Sequence, residues 1–198
     1  MHELHHSKLK LRRHMRQLRR ALTQNQRDRA AIELARHVTA LPGWDNASKV
    51  ALYLPSDGEA DPSLIEKALR SSGKAPYLPV IQADNSLLFA PWEESGQLQK
   101  NRFGIPEPQT ATSNADELEI ILLPLVAWDA QGQRLGMGGG YYDSSLAAAS
   151  NVIKVGVAFE LQRVDALVTE PWDIRMDFIA TESRLIECQG KDQEQPQS

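Results

Sequence analysis

The chain has 198 residues, of which 41% are hydrophobic and 24% charged, and this ordinary globular composition excludes collagen-like, coiled-coil and disordered classes. No run approaches the roughly 18 apolar residues that cross a bilayer, and residues 1–7 lack the basic-then-apolar order of a signal peptide, so we expect a cytoplasmic protein without a membrane partner. The net charge of −4 conceals an asymmetry, because residues 1–22 carry a net +6 and residues 23–198 a net −10. A basic segment on an acidic body indicates a nucleic acid, a membrane surface, a nucleotide or simply a solvated helix.

Helices and strands alternate along the predicted chain. Leu11, Met15, Leu18 and Leu22 recur at spacings of four, three and four, which predicts an amphipathic helix over 7–22. Further helices are predicted over 26–41, over 62–72 with Asp61 as N-cap, and over 141–149, and strands over 48–55, 75–81, 87–92, 118–126, 152–159 and 177–186. Proline and glycine make 98–114 a predicted loop. This alternation predicts one α/β domain in three layers over 1–188, followed by a disordered tail over 189–198.

A glycine-rich segment gives the strongest local signal. Residues 134–143, with the sequence RLGMGGGYYD, connect the most apolar strand to a helix and hold four glycines in five positions. Successive backbone N–H groups that lead into a helix can hold an anion such as phosphate. The spacing matches neither the P-loop nor the dinucleotide fingerprint, and a tight connection without a ligand stays open as the alternative.

The cations of the first helix fall into two groups on a helical wheel. Lys8, Arg12 and Arg19 flank one edge of the apolar stripe with Arg16 slightly beyond, whereas Lys10, Arg13 and Arg20 lie on the far side. Edge cations can turn into a neighbouring cleft, and we expect the far-side cations to meet only water. Nucleic-acid binding through this helix remains an alternative.

Acidic residues supply further candidates for ligand contacts. Glu59 follows a predicted strand end, where α/β sheets place ligand groups, and could accept paired N–H bonds from an amino-substituted heterocycle. Asp143, with Asp173 or Asp177 from another loop, could hold Mg²⁺ beside phosphates. Spacing alone is equally consistent with ordinary surface acids. His2, His5 and His6 are too near the terminus to indicate a metal site, and Cys188 lacks the sequence context of a nucleophile.

Taken together, these motifs resemble the 5-formyltetrahydrofolate cyclo-ligase family, also called methenyltetrahydrofolate synthetase. The similarity runs over about 7–186 and rests on Lys8-x-x-Leu11-Arg12, Gly58-Glu59, Pro106-Glu107-Pro108, and Asp129-x-x-Gly132-x-Arg134-Leu135-Gly136-x-Gly138-x-Gly140-Tyr141-Tyr142-Asp143. The resemblance implies a three-layer α/β/α sandwich similar to ribose-5-phosphate isomerase and the CoA-transferases. It implies ATP-dependent cyclisation of 5-formyltetrahydrofolate to 5,10-methenyltetrahydrofolate through phosphorylation of the formyl oxygen, with release of ADP and phosphate. ATP would be the co-substrate and Mg²⁺ the cofactor, with no nucleic-acid, membrane or obligate protein partner.

The resemblance also implies residue roles. Lys8 and Arg134 would be catalytic. ATP would be bound by Lys8, Arg12, Arg134, Leu135, Gly136, Met137, Gly138, Gly139, Gly140, Tyr141 and Tyr142, and folate by Leu54, Glu59, Met137, Gly138, Gly139, Gly140 and Tyr141. Asp143 and Asp173 would hold Mg²⁺. Two positions depart from the pattern, since many members carry Lys at Gly139 and Arg at Ser144, and a catalytically impaired folate- or nucleotide-binding protein is therefore the alternative.

Overall fold

Eleven short strands are found in the computed structural model, which describes residues 2–94 and 96–188. They are β1 (Val50–Ala51), β2 (Pro76–Ile81), β3 (Leu87–Pro91), β4 (Leu98–Lys100), β5 (Pro106–Pro108), β6 (Ile120–Pro124), β7 (Ala127–Trp128), β8 (Arg134–Leu135), β9 (Ile153–Val157), β10 (Phe178–Ala180) and β11 (Leu185–Glu187). Seven form one sheet in the order β11-β10-β9-β6-β1-β2-β3. The five central strands are parallel, and β3 and β11 pair antiparallel at the edges. The tail over 189–198 and the side chains of His2, His5 and His6 lie outside the described residues.

Four α-helices accompany the sheet in the described part of the chain: α1 (His2–Arg20), α2 (Gln24–Thr39), α3 (Ser63–Ser71) and α4 (Tyr141–Leu146). A capping box starts α2, because the Thr23 side chain accepts from the Gln26 amide and the Gln26 side chain accepts from the Thr23 amide. Helix α3 begins later than predicted. The Asp61 carboxylate accepts from the Ser63 amide in a local turn, and Pro62 takes the N-cap position instead of Asp61. No helix among the described residues has the length and apolar character needed to cross a bilayer.

The core lies on both faces of the sheet. Along β6, Ile120 and Leu122 pack on one side and Ile121 and Leu123 on the other, and all four are at most 1% exposed. Helices α2 and α3 cover the first face, and α4 with a 3₁₀ turn at Ala115–Glu117 covers the second. The prediction of a three-layer α/β fold is confirmed.

In addition to the later start of α3 and the shorter β1, two predicted segments contain turns that we did not expect. The predicted loop over 98–114 contains the hairpin β4–β5, because the Asn101 side chain accepts from the Phe103 and Ile105 amides and Gly104 takes a φ of 76°. The predicted strand over 177–186 is instead two strands, β10 and β11, which pair antiparallel. In both cases a turn lies inside a segment whose amino-acid composition gave no sign of where the chain would reverse direction.

Candidate active site

A cavity of about 1480 Å³ opens at the carboxyl ends of the parallel strands. Leu54 follows β1, Ile81 ends β2 and Pro124 ends β6, and all three line it. This is the edge at which open α/β sheets bind ligands. The other walls come from α1, the β4–β5 hairpin, residues 134–144 and residues 170–174.

Every site residue that the family resemblance implies lies on the wall of this cavity. They are Lys8, Arg12, Leu54, Glu59, Arg134, Leu135, Gly136, Met137, Gly138, Gly139, Gly140, Tyr141, Tyr142, Asp143 and Asp173. Asp177, the other acid considered for Mg²⁺, instead accepts from the Lys154 amide at 2.7 Å and pairs with the Lys154 ammonium at 3.2 Å. Asp177 therefore holds a strand end in place.

The glycine loop, residues 136–140, packs directly against α1. Arg12 Nε donates to the Gly136 carbonyl at 2.8 Å, and a Cβ on Gly138 would lie 3.3 Å from Arg12 Cζ. Gly138 has a φ of 100°, and Gly140, at the N-cap of α4, has a φ of 70°. Glycine is needed here both for backbone conformation and for the close approach of a guanidinium. Within the described ranges, the amides of Gly138, Gly139 and Gly140 donate no hydrogen bond.

Arg134 is buried beneath the loop, with only 6% of its side chain exposed. Its Nη2 lies 2.6 Å from Asp143 Oδ1, and this oxygen also accepts from the Ile174 amide. Arg134 Nε is fully buried and has no hydrogen-bond partner among the described residues. A buried donor left unpaired costs about 1–3 kcal/mol, so this nitrogen is suited to an acceptor that arrives with a ligand.

Lys8 and Asp173 complete this side of the cavity. Lys8 Nζ lies 3.4 Å from Asp173 Oδ2, which also accepts from the Glu170 amide at 2.8 Å. Burial lowers the pKa of Arg12, and the nearby Asp173 opposes that shift. No cluster of three metal-ligating side chains occurs in the described ranges. Asp143 and Asp173 suit Mg²⁺ only as one or two carboxylates completed by phosphate and water, which is the usual arrangement for this ion.

Glu59 lies on another wall of the cavity, and 9% of its side chain is exposed. Its Oε2 accepts from the Ser56 amide at 3.0 Å, and its Oε1 lies 3.6 Å from Arg19 Nη2. Burial raises the pKa of Glu59, whereas the Ser56 amide and Arg19 act in the opposite direction. Burial also raises the pKa of the neighbouring Tyr53 and Tyr142, so both phenols stay neutral at physiological pH.

Sequence reasoning missed the side of the cavity that comes from the hairpin. Asn101, Phe103, Ile105 and Glu107 line it, although only the Pro106-Glu107-Pro108 motif drew attention to this segment. The Phe103 ring meets Tyr141 edge to face, with centroids 6.0 Å apart. The exposed Phe103 ring and the half-buried Tyr141 ring on the cavity wall suit a flat, partly apolar ligand.

The prediction for the far-side cations of α1 is wrong for one residue. Arg20 forms an ion pair with Asp57, and Arg16 and Arg19 contact the same carboxylate at 2.6 and 2.9 Å. Leu18 is 38% exposed, so the predicted apolar stripe is only partly buried. The helical wheel could not show these contacts because it holds no information about the Asp57 turn that α1 packs against.

The chain is similar to proteins of one family in sequence and in structure. Residues 4–182 match the 5-formyltetrahydrofolate cyclo-ligase family. The 5-formyltetrahydrofolate cyclo-ligase of Haemophilus influenzae is 37% identical over 83% of this chain and 91% of its own length, and that of Escherichia coli is 36% identical over 87% and 99%. The structure of Aquifex aeolicus 5,10-methenyltetrahydrofolate synthetase superposes with a TM-score of 0.83 at 31% identity, covering 96% of this chain and 97% of that one. The chain therefore belongs to the 5-formyltetrahydrofolate cyclo-ligase family.

Proposed function

We propose that this chain converts 5-formyltetrahydrofolate and ATP into 5,10-methenyltetrahydrofolate, ADP and phosphate. The observation that carries the proposal is the buried Arg134, whose unpaired Nε lies beneath a glycine loop in the same cavity as Glu59. One cavity thus combines donors for a polyphosphate with an acceptor for an amino-substituted ring. The names of the relatives agree with this pairing of ligands.

The reaction requires positioning and charge neutralisation more than a nucleophilic side chain. The formyl oxygen attacks the γ-phosphorus of ATP, and the bond from that phosphorus to the bridging oxygen breaks, with its electron pair leaving on ADP. The neighbouring amine nitrogen then attacks the formyl carbon and closes the ring. The carbon–oxygen bond breaks, phosphate leaves with the former formyl oxygen, and the amine proton goes to solvent.

On the ATP side, three cations and the loop amides would neutralise the phosphates. Arg12 is fixed by Gly136, Arg134 is fixed by Asp143, and Lys8 lies beside Asp173. Fixed donors of this kind stabilise developing charge because they need no reorganisation during the reaction. We assign the catalytic role to Lys8 and Arg134, and ATP binding to these two residues, Arg12 and the segment from 135 to 142.

Asp143 and Asp173 would hold Mg²⁺, since each has one carboxylate oxygen without a hydrogen bond from the described residues. When bound, the ion would neutralise phosphate charge. To test this assignment, calorimetry of ADP binding with and without Mg²⁺ compares Asp173→Asn with Asp177→Asn. We expect Asp173→Asn to lose most of the Mg²⁺-dependent gain in affinity and Asp177→Asn to keep it. Equal behaviour of the two variants contradicts the assignment.

On the folate side, Glu59 would accept two N–H bonds from the amino-pyrimidinone edge of the pterin. Such paired bonds to one carboxylate are strong and directional. Leu54, Tyr141 and the segment Met137, Gly138, Gly139, Gly140 would line the remainder of the folate site. This assignment uses the apolar part of the wall and the largely buried carboxylate of Glu59.

The location and partners expected from the sequence remain part of the proposal: a cytoplasmic enzyme without nucleic-acid, membrane or obligate protein partners. The contacts of α1 argue against the nucleic-acid alternative. Arg20, one of the three far-side cations, pairs with Asp57 and so offers less charge to a phosphate backbone. Lys10 and Arg13 remain exposed, which is a small basic surface for such a ligand.

The decisive experiment incubates the protein with 5-formyltetrahydrofolate, ATP and Mg²⁺. The methenyl product has an extended conjugated system, so we expect a rise in near-ultraviolet absorbance matched mole for mole by ADP. Arg134→Met should remove most of the rate, while Arg163→Met, a change at an exposed arginine away from the cavity, should not. Thermal stabilisation by both ligands without ADP release would instead support the impaired binding protein suggested by Gly139 and Ser144.

A further inference from the structure

The turn that carries Glu59 is held by a cluster of arginines from α1. Asp57 Oδ2 accepts from Arg16 Nε at 2.6 Å and from Arg19 Nη2 at 2.9 Å, and Asp57 Oδ1 pairs with Arg20. Arg19 Nε also donates to the Asp57 carbonyl at 3.0 Å. Asp57 itself has a φ of 49°, a strained conformation for a residue with a side chain. Such strain persists where the surroundings over-determine it, and it often marks a functional turn.

Arg19 differs from the other members of this cluster. Its side chain is 0% exposed, whereas that of Arg20 is 52% exposed. Arg19 Nη1 donates to the Leu125 carbonyl at 3.3 Å, just beyond the end of β6. Arg19 Nη2 lies between Asp57 and Glu59, 3.6 Å from Glu59 Oε1. Removing a guanidinium from water costs free energy, and an exposed cation such as Arg20 can pair with Asp57 without that cost. The burial of Arg19 therefore indicates a role beyond its pairing with Asp57.

Glu59 stands between this arginine and the cavity. Of the pair, Glu59 lines the cavity and Arg19 lies behind the wall. The groups that face Glu59 are the amide and hydroxyl of Ser56 and the Arg19 guanidinium, with Arg16 farther off. The neutral phenols of Tyr53 and Tyr142 also interact with it. Burial favours the protonated acid, and the cations of α1 oppose it. A protonated Glu59 would lose one acceptor and could no longer take two N–H bonds from a ligand.

We propose that Arg19 is a positioning residue that keeps Glu59 ionised and fixed in one orientation for the N–H edge of the folate. The inference rests on the proposed function, since it takes the ligand of Glu59 to be a pterin. It assigns to Arg19 a role in substrate affinity although Arg19 touches no substrate. The guanidinium fork is required because it donates to the Asp57 carbonyl, the Asp57 carboxylate and the Leu125 carbonyl at once and still lies 3.6 Å from the Glu59 carboxylate. A lysine ammonium cannot make all of these contacts.

The test compares Arg19→Lys with Arg20→Lys. The two variants make the same substitution on the same helix, and both residues contact Asp57, but only Arg19 reaches Glu59. For Arg19→Lys we expect the KM for 5-formyltetrahydrofolate to rise about tenfold, which corresponds to one charge-assisted hydrogen bond between Glu59 and the ligand. The KM for ATP should change less than twofold. The acid limb of the kcat/KM profile for folate should move to higher pH, because a lysine ammonium that is not held beside Glu59 stabilises the ionised carboxylate less and so raises the pKa of Glu59 further. Arg20→Lys should leave both KM values within twofold.

A double-mutant cycle separates positioning from a merely structural role. In a Glu59→Gln background, Arg19→Lys should raise the folate KM less than threefold, because the carboxylate it positions is already gone. A structural role predicts the same tenfold loss in both backgrounds and a matching loss of ATP affinity, and either result overturns the proposal. Wild-type protein without cyclisation activity would overturn the proposed function, whereas active wild-type protein with equal behaviour of Arg19→Lys and Arg20→Lys would overturn this inference alone.

A second measurement decides the matter if Arg19→Lys does not fold. In wild-type protein labelled with carboxyl-¹³C glutamate, the resonance lost in Glu59→Gln identifies Glu59, and its chemical shift follows protonation. We expect the unliganded protein to show Glu59 ionised at pH 7. A protonated Glu59 at that pH would refute the role assigned to Arg19.

Discussion

Replacing Arg12 with methionine removes one cation from the wall of the cavity while keeping a side chain of similar length. Arg12 Nε donates to the Gly136 carbonyl at 2.8 Å, and the guanidinium packs 3.3 Å from the position of a Cβ on Gly138. The variant therefore loses the bond that fixes the glycine loop and also loses a charge that would face the ATP phosphates. Arg13 is the matched control, because it is adjacent in the chain and exposed.

A hydrogen bond to a charged group contributes about 1.5–3 kcal/mol, and each 1.4 kcal/mol corresponds to a factor of ten. We therefore expect Arg12→Met to raise the KM for ATP by roughly 10- to 100-fold. The folate KM should change less than threefold, since Glu59 lies on another wall. Arg13→Met should change neither value by more than twofold.

Steady-state kinetics with each substrate varied in turn measures both constants, and calorimetric titration with ADP measures nucleotide affinity without turnover. Thermal unfolding verifies that both variants are folded. The reasoning is refuted if Arg12→Met and Arg13→Met give the same ATP KM and ADP affinity. It is also refuted if Arg12→Met weakens folate as much as ATP, because the change would then act through the whole cavity.

Three further predictions concern separate features. A Cβ on Gly139 would lie 2.6 Å from the Tyr141 ring, so both Gly139→Ala and Gly139→Lys displace that ring, but only the lysine adds a cation. The KM for ATP should therefore be several-fold lower for Gly139→Lys than for Gly139→Ala. Equal KM values would contradict the binding of a phosphate beside Gly139. Burial raises the pKa of the Cys188 thiol to about 11. A thiol reagent at pH 8 should therefore modify Cys188 slowly in the folded protein and at the rate of a free cysteine once denaturant has unfolded it. Backbone donors, Lys49 N foremost, lower the pKa of Glu119. Stability from Glu119 is thus fully present above its unfolded pKa and is lost as pH falls through the lower, folded pKa. Glu119→Gln should therefore lower Tm at pH 7, and this difference should begin to shrink at about pH 4 and vanish only at more acidic pH.

The part of the site formed by consecutive residues could be predicted from the sequence. Residues 134–143, which the glycine-rich motif singled out, all line the cavity, and Gly138 and Gly140 have positive φ angles. A loop that needs positive φ angles or a close approach to its backbone requires glycine, because only glycine meets both needs without strain, and the glycines are visible in the sequence. The buried strand β6 is another such case, since a continuous apolar run of this length is typical of a strand covered on both faces.

The hairpin wall could not be predicted in the same way. Glu107 reaches the site because its carboxylate accepts from the Ile81 amide at 2.9 Å and from the Asn101 side chain at 2.7 Å. Those contacts join segments 26 and 6 residues apart, and no periodicity within either segment encodes them. Element ends were likewise hard to place, as Asp61 shows, because a side chain that caps a helix also stabilises a local turn.

The basic charge of α1 acquires a specific meaning from these contacts. Lys8, Arg12, Arg16 and Arg19 follow one another at spacings of four, four and three, which places them along one edge of the helix. The first two contact Asp173 and Gly136 on the side proposed for ATP, and the last two contact Asp57 at the turn that leads to Glu59. At 1.5 Å per residue the four span about 16 Å, so one rigid helix fixes the distance between the two binding sides. A change that tilts α1 should therefore weaken the binding of ATP and of folate together. Arg12→Met should weaken only ATP binding and Arg19→Lys only folate binding, and this difference distinguishes the effect of a single side-chain contact from a displacement of the whole helix.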